Sequence, residues 1–213
     1  MTSPSIACDT PDSGPENGPD KALLRIALLT ARKRIPDDQR RAFDTAIGAQ
    51  VLDWATSMSG GNAGGKSDFP DVLGVPGVLG VYWPIRGEPD LHATYAALIA
   101  RGVRLALPVV IGAEEPLQFV RWTPGEAMIK DSFGVPFPAS GDIVSPQALL
   151  IPCVGFTRAR LRLGYGGGFY DRTLAVNPRP TTIGISYAEA LVEFDSGMHD
   201  IALDQIFTES GCF

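Results

Sequence analysis

Strand-length runs of almost unbroken apolar residues recur along this chain, with helical segments between them. VLGVYW at 78–83 precedes DLHATYAALIAR at 90–101, VRLALPVV at 103–110 and PLQFVRW at 116–122; ALLIPCVGF at 148–156, TTIGISY at 181–187 and DQIFT at 204–208 complete the series. A strand with one wet face alternates polar and apolar residues. One that is apolar throughout is covered on both faces, as in parallel sheets whose crossover helices lie on either side. The expectation is an α/β chain, a single domain with a mainly parallel sheet covered by helices.

Two helices should precede the first strand. Asp20 is placed as an N-cap leading into KALLRIALLTARKR, with Leu23, Ile26 and Ala27 on the inward face and Arg25 and Arg32 off it. Pro36-Asp37-Asp38 starts the second, which carries Phe43, Ile47, Val51 and Trp54 at helical spacing until the glycines of SMSGGNAGGKS end it. Residues 1–19 hold four prolines and three acidic residues but no Lys or Arg, so they are expected to be a disordered leader rather than a secretory signal, with the folded domain spanning 20–213. The stretch 123–147, with Pro124, Pro136, Pro138 and Pro146, is expected to be a long ordered loop without regular structure.

Charge and cysteine usage exclude several classes. With 18 Lys+Arg against 24 Asp+Glu, the net charge of -6 argues against a general basic field for nucleic acid or anionic membrane. No apolar run approaches the roughly 20 residues needed to span a bilayer. Cys8, Cys153 and Cys212 are odd in number and widely spaced, which speaks for reduced thiols in a cytoplasmic protein and against a disulfide framework or a zinc site.

Two glycine strings compete for a phosphate. Gly60 to Ser67 satisfies G-x-x-x-x-G-K-[ST], but it follows a helix instead of a buried strand and runs into a segment broken by Pro70, Gly74 and Pro76, so it is read as a loop. The second, Arg162-Leu163-Gly164-Tyr165-Gly166-Gly167-Gly168-Phe169-Tyr170-Asp171, lies between the apolar run ending at Phe156 and a helix. Three consecutive glycines let a backbone approach a phosphate closely at a helix start. Arg158, Arg160, Arg162 and Arg172 supply donors, and Asp171 adds a carboxylate suited to Mg²⁺. A glycine-rich turn with solvated arginines is the plain alternative.

LIPCVGFTRARLRLGYGGGFYDRTL, spanning 150–174, resembles the signature of the 5-formyltetrahydrofolate cyclo-ligase family. Lys21-Ala22-Leu23-Leu24-Arg25 is similar to the family's N-terminal Lys-x-x-x-Arg, YWPIRGEPD at 82–90 to its middle motif, and His199-Asp200 with Asp204 to its C-terminal one. The resemblance implies the fold shared with sugar-phosphate isomerases and CoA transferases. It also implies ATP-dependent cyclisation of 5-formyltetrahydrofolate to 5,10-methenyltetrahydrofolate, with Mg²⁺ as cofactor, in a monomer without nucleic-acid or membrane partners. The formyl oxygen would attack the γ-phosphate, the 10-nitrogen would then attack the formyl carbon, and phosphate would leave; no protein nucleophile is required.

By the same resemblance, Lys21 to Arg25 and Arg162 to Tyr170 (Arg162, Leu163, Gly164, Tyr165, Gly166, Gly167, Gly168, Phe169, Tyr170) fall on ATP-binding positions, with Lys21 and Arg162 as the catalytic cations. Arg25, Trp83, Glu88 and the Tyr165 to Phe169 loop fall on folate contacts, and Asp171 and Asp200 on Mg²⁺ ligands. Taken alone, Lys21 and Arg25 equally suit a solvated helix face, Trp83 a core, Glu88 a loop, His92 a surface or core position, and His199 a partner that orients Asp200. Thr157, Arg160, Phe169 and Phe137 depart from the family pattern, and Phe169 lacks a hydroxyl that a tyrosine there would offer. Two competing functions remain open at this point: a P-loop hydrolase using Lys66, and a non-catalytic folate or nucleotide binder.

Overall fold

The computed structural model describes residues 20–58, 77–195, 197 and 200–213. The leader, the Gly60 to Ser67 string with Lys66, and His199 lie outside the described residues.

An eight-stranded sheet organises the chain. At its centre β1 (Val78–Gly80) pairs in parallel with β2 (Arg104–Val109) on one side and β7 (Ala148–Pro152) on the other. Beyond β7, β10 (Thr181–Ile185) and β11 (Gln205–Thr208) continue in parallel. Antiparallel strands close both flanks: β3 (Gln118–Trp122) and β6 (Ile143–Val144) beyond β2, and β12 (Gly211–Cys212) beyond β11. The parallel centre matches the expectation from the apolar runs.

Alternate residues of these strands feed two cores. Leu79, Leu105, Leu107, Leu150, Ile183 and Ile185 meet α2 (Asp37–Met58) through Ile47 and Val51, and α3 (His92–Ala100) through Tyr95 and Leu98. Phe43 and Trp54 pack half-buried on the same side, as their spacing predicts. On the opposite face Leu149, Ile151 and Ile206 meet Leu174 of the short α4 (Phe169–Leu174) and Phe156 of β8 (Gly155–Phe156). Among the described residues no helix is long and apolar enough to cross a membrane.

Three expectations are corrected. In α1 (Lys21–Arg32), capped by Asp20 through a 2.8 Å bond from the Ala22 amide, Leu23 and Ile26 are each 65% exposed while Arg32 is buried. The inward face holds Leu28 and Arg32, because both Arg25 and Arg32 find backbone carbonyls on distant loops that satisfy their donors. The 123–147 stretch is not without regular structure: β4 (Met128–Lys130) and β5 (Pro136–Pro138) form a two-stranded ribbon, and β6 follows. Pro136 and Pro138 are tolerated there because each strand has a partner on one side only, leaving alternate N–H positions without a ladder bond to lose. Finally, the apolar run 148–156 divides at Cys153-Val154, and β8 turns back to pair with β9 (Arg162–Leu163). The glycine loop therefore leaves a hairpin rather than the sheet itself.

Chain order creates the crevice. From β1 the chain moves outward to β2, whereas from β7 it moves the other way to β10 and β11, so the order reverses between β1 and β7. Open α/β sheets bind ligands at such a reversal, beyond the carboxyl ends of the strands.

Candidate active site

The segment leaving β1 supplies Glu88, which is 3% exposed. One of its oxygens accepts from the Ile85 amide at 2.8 Å, and the other from the Tyr165 hydroxyl at 2.7 Å, so a bond from the glycine loop reaches across the crevice. Burial pushes the Glu88 carboxyl up to about 7, against the pull of the Ile85 amide, the Tyr165 hydroxyl, Arg32 and Arg86. Arg86, held at a φ of 50°, lays its guanidinium 5.1 Å over the Tyr165 ring. Trp83 packs half-buried, edge-on to His92 at 4.7 Å and to Trp122 at 6.1 Å, so its ring is fixed by an aromatic cluster.

From the other side α1 brings two cations. Lys21 Nζ is 2.6 Å from Asp200 Oδ2 and 5.1 Å from the Phe194 ring centre. Arg25 Nε donates to the Gly164 carbonyl at 2.7 Å, and its guanidinium lies so close to Gly166 that a Cβ there would stand 3.6 Å away. Gly166 at φ 99° and Gly168 at φ 66° adopt left-handed backbone that side chains resist, which is why this turn needs glycine at those positions.

Arg162 lies at the centre of the charges. Its side chain is 5% exposed, Nη1 donates to Asp171 Oδ1 at 2.9 Å, and the guanidinium sits 5.4 Å over Tyr170. Its buried Nε has no partner, a state it shares with the Nε atoms of Arg40 and Arg104, and the bond from Nη1 to Asp171 fixes the guanidinium. For Asp200, burial raises the pKa, but bonds from Lys21 and the Gly197 amide, with the charges of Lys21 and Arg162, outweigh it and hold the carboxyl below its usual range. The result is two cations and two carboxylates in interleaved pairs.

The sequence offers four arginines for phosphate, and the structure divides them. Arg172 is committed to the carbonyls of Ala113, Glu115 and Gly167 and so clamps the glycine loop. Arg160 donates to the Leu203 carbonyl, and both it and Arg158 are exposed at the turn of the β8–β9 hairpin. Only Arg162 of the four is buried. Ala22 and Leu23 are exposed, Leu24 is half-buried, and Leu163 is buried in β9. Asp204 receives bonds from Arg179 and from the Thr182 amide and hydroxyl at the start of β10, the opposite end of the strand from the crevice.

Two residues near the crevice, Phe133 and Arg32, lie outside the motifs that point to the site. Phe133, 63% exposed at the tip of the β4–β5 ribbon, meets the Phe169 ring edge-on at 5.5 Å. Asp131 shapes that tip by accepting from the Phe133 and Val135 amides, each at 2.9 Å. A large aromatic next to a glycine in a long polar stretch was the available signal. Arg32, seven residues after Arg25 and so on the same side of α1, was the other.

A family model for the 5-formyltetrahydrofolate cyclo-ligase family matches residues 76–209, from just before β1 to just after β11. The chain belongs to the 5-formyltetrahydrofolate cyclo-ligase family. It is 29% identical over 199 residues to a 5-formyltetrahydrofolate cyclo-ligase of Mycolicibacterium smegmatis, covering 88% of this chain and 93% of that protein. A 5-formyltetrahydrofolate cyclo-ligase of Haemophilus influenzae is 32% identical over 123 residues, 54% of this chain and 66% of that protein. The fold matches the solved 5,10-methenyltetrahydrofolate synthetase of Mycoplasma pneumoniae with a TM-score of 0.70 at 22% identity, covering 89% of this chain and 99% of that one. For the Aquifex aeolicus 5,10-methenyltetrahydrofolate synthetase the TM-score is 0.69 at 24% identity, covering 90% and 91%.

For a cyclo-ligase, the arrangement divides the labour by charge. The cationic side, with Lys21, Arg25 and Arg162 around bare glycine backbone, suits an anion. The Glu88 side is buried, polar and flanked by aromatic rings, which suits a flat ring system with hydrogen-bond donors. Burial pushes the Cys153 thiol up to about 11, so the buried cysteine at the end of β7 is no nucleophile.

Proposed function

We propose that this chain catalyses the ATP-dependent cyclisation of 5-formyltetrahydrofolate to 5,10-methenyltetrahydrofolate, releasing ADP and phosphate. The observation that carries the reading is the buried guanidinium of Arg162, held by Asp171 and set with Lys21 and Arg25 across one crevice from buried Glu88. Residues 20–213 form the catalytic domain, in a protein read as a cytoplasmic monomer.

The triphosphate lies along Lys21, Arg25 and the Gly164 to Gly168 backbone, with Arg162 directed at the transferred group. Arg162 and Lys21 stabilise the phosphoryl charge as it passes from ADP to the formyl oxygen; positioning and fixed charge supply the catalysis. Glu88 accepts hydrogen bonds from the reduced pteridine, whose ring packs among Trp83, Tyr165, Phe169 and Phe133. Asp171 and Asp200 would hold Mg²⁺. Two carboxylates beside phosphate-binding cations would fit an ion that takes one or two carboxylates and otherwise phosphate and water. When bound, Mg²⁺ neutralises phosphate charge.

Incubation with ATP and Mg²⁺ is expected to release phosphate only when 5-formyltetrahydrofolate is present, in step with the near-ultraviolet absorbance of the methenyl product. Phosphate release without folate would instead mark a nucleotide hydrolase. Saturable folate binding with no turnover would mark a binder.

A further inference from the structure

A buried guanidinium that touches no carboxylate calls for an explanation, since charge taken out of water is costly unless it is fully hydrogen-bonded. Arg32 is 2% exposed at the last turn of α1. Its Nη2 donates to the Cys153 carbonyl at 2.5 Å and, more weakly, to that of Val154 at 3.4 Å, the first two residues after β7. Its Nη1 reaches the Tyr165 hydroxyl at 3.4 Å, and that hydroxyl donates to Glu88. The aliphatic stem of Arg32 lies under Gly87, where a Cβ would stand 3.7 Å from its Cγ and Cδ. One side chain thus touches the end of β7, the glycine loop and the segment after β1, the three pieces that meet at the reversal of strand order.

We propose that Arg32 is a positioning residue of the folate subsite. Anchored on the carbonyls after β7, it holds the Tyr165 hydroxyl against Glu88, so that a single preorganised acceptor faces the pteridine. The inference rests on the folate reading of Glu88. The direction of the Tyr165 bond agrees with it: burial and the Glu88 charge push the Tyr165 phenol up, so the phenol keeps its proton and donates. Glu88 also faces Arg86 on its own segment, Tyr82 and Tyr95 beneath it, and Tyr170 and Cys153 on the β7 side. Of these only Arg32 and Arg86 are cations, and both hold the Glu88 carboxyl down.

The test separates positioning from bulk stability. Arg32→Gln is expected to raise KM for 5-formyltetrahydrofolate about tenfold, the cost of one lost charge-assisted contact, while KM for ATP stays within about twofold. The acidic limb of kcat/KM for folate should move to higher pH, because a cation that favours ionised Glu88 is gone. Arg32→Lys should restore the limb but not the KM, since it returns the charge without the fork. Tyr165→Phe should move the limb in the same direction, and adding Arg32→Gln to it should change folate KM by less than about twofold more, because both remove one linkage. Equal rises in both KM values with an unmoved limb, or fully multiplicative effects in the double variant, would overturn the proposal. If Arg32→Gln does not fold, Tyr165→Phe decides alone, and an unmoved limb overturns it. Glu88→Gln with unchanged folate KM would instead remove the folate reading itself, independently of Arg32.

Discussion

Arg162→Ala is expected to fold and to form methenyltetrahydrofolate roughly a hundredfold to a thousandfold more slowly, the usual result of deleting one preorganised donor aimed at developing charge. The guanidinium is held over Tyr170 and by Asp171, so its remaining donors are already in place when phosphate arrives and no reorganisation is needed. Stability should also fall, by about 1–3 kcal/mol, because Asp171 loses its partner. This loss stays below that of a fully buried pair, since the Asp171 side chain is 23% exposed and water can take over. Arg162→Lys should recover part of the stability and little of the rate, because a point charge replaces a fork. Single-turnover product absorbance and thermal unfolding measure the two effects. A rate for Arg162→Ala within about twofold of the parent would remove this residue from phosphoryl transfer.

Glu88→Gln should make the protein more stable above neutral pH while weakening folate handling. The carboxyl titrates near 4.5 when exposed and about 7 in the fold, so the native state holds its proton more tightly than the unfolded chain. The stability contributed by protonated Glu88 is fully present below about pH 4.5 and is lost as pH rises through about 7. At about 1.4 kcal/mol per pH unit, the ionised, buried carboxylate costs on the order of 3 kcal/mol at pH 8. Glutamine removes that slope, so the difference between variant and parent in denaturant unfolding should grow in favour of glutamine between about pH 4.5 and 7 and then level off. Parallel stability curves would contradict the buried-carboxylate account. A carboxylate kept at such a cost is explained by a ligand that needs it.

The parallel centre of the sheet was legible because Leu149, Leu150 and Ile151 are apolar in succession, which only a strand covered on both faces requires. The glycine turn was legible for a related reason: left-handed backbone at Gly166 and Gly168 restricts residue choice locally. The face of α1 was not. Apolar patterning assumes that charges face water, and it cannot see that carbonyls at Cys153 and Gly164, more than a hundred residues away, will satisfy Arg32 and Arg25. The same blindness made Arg158, Arg160, Arg162 and Arg172 look equivalent, although the donors of Arg172 are spent on the carbonyls that hold the loop. Proline content likewise hid the β4–β5 ribbon and with it Phe133, because proline stops a strand in mid-sheet but not in a ribbon with free edges.

The central claim is that the formyl oxygen receives the phosphoryl group, and following that oxygen tests it most directly. 5-Formyltetrahydrofolate carrying a heavy oxygen isotope in its formyl group is turned over with unlabelled ATP in unlabelled water, and the released phosphate is analysed by mass spectrometry. The account predicts one heavy oxygen in each phosphate formed, in step with the methenyl product. Phosphate carrying only light oxygen would mean that water, and not the formyl oxygen, took the phosphoryl group, and would contradict the cyclo-ligase mechanism built on Arg162 and Lys21.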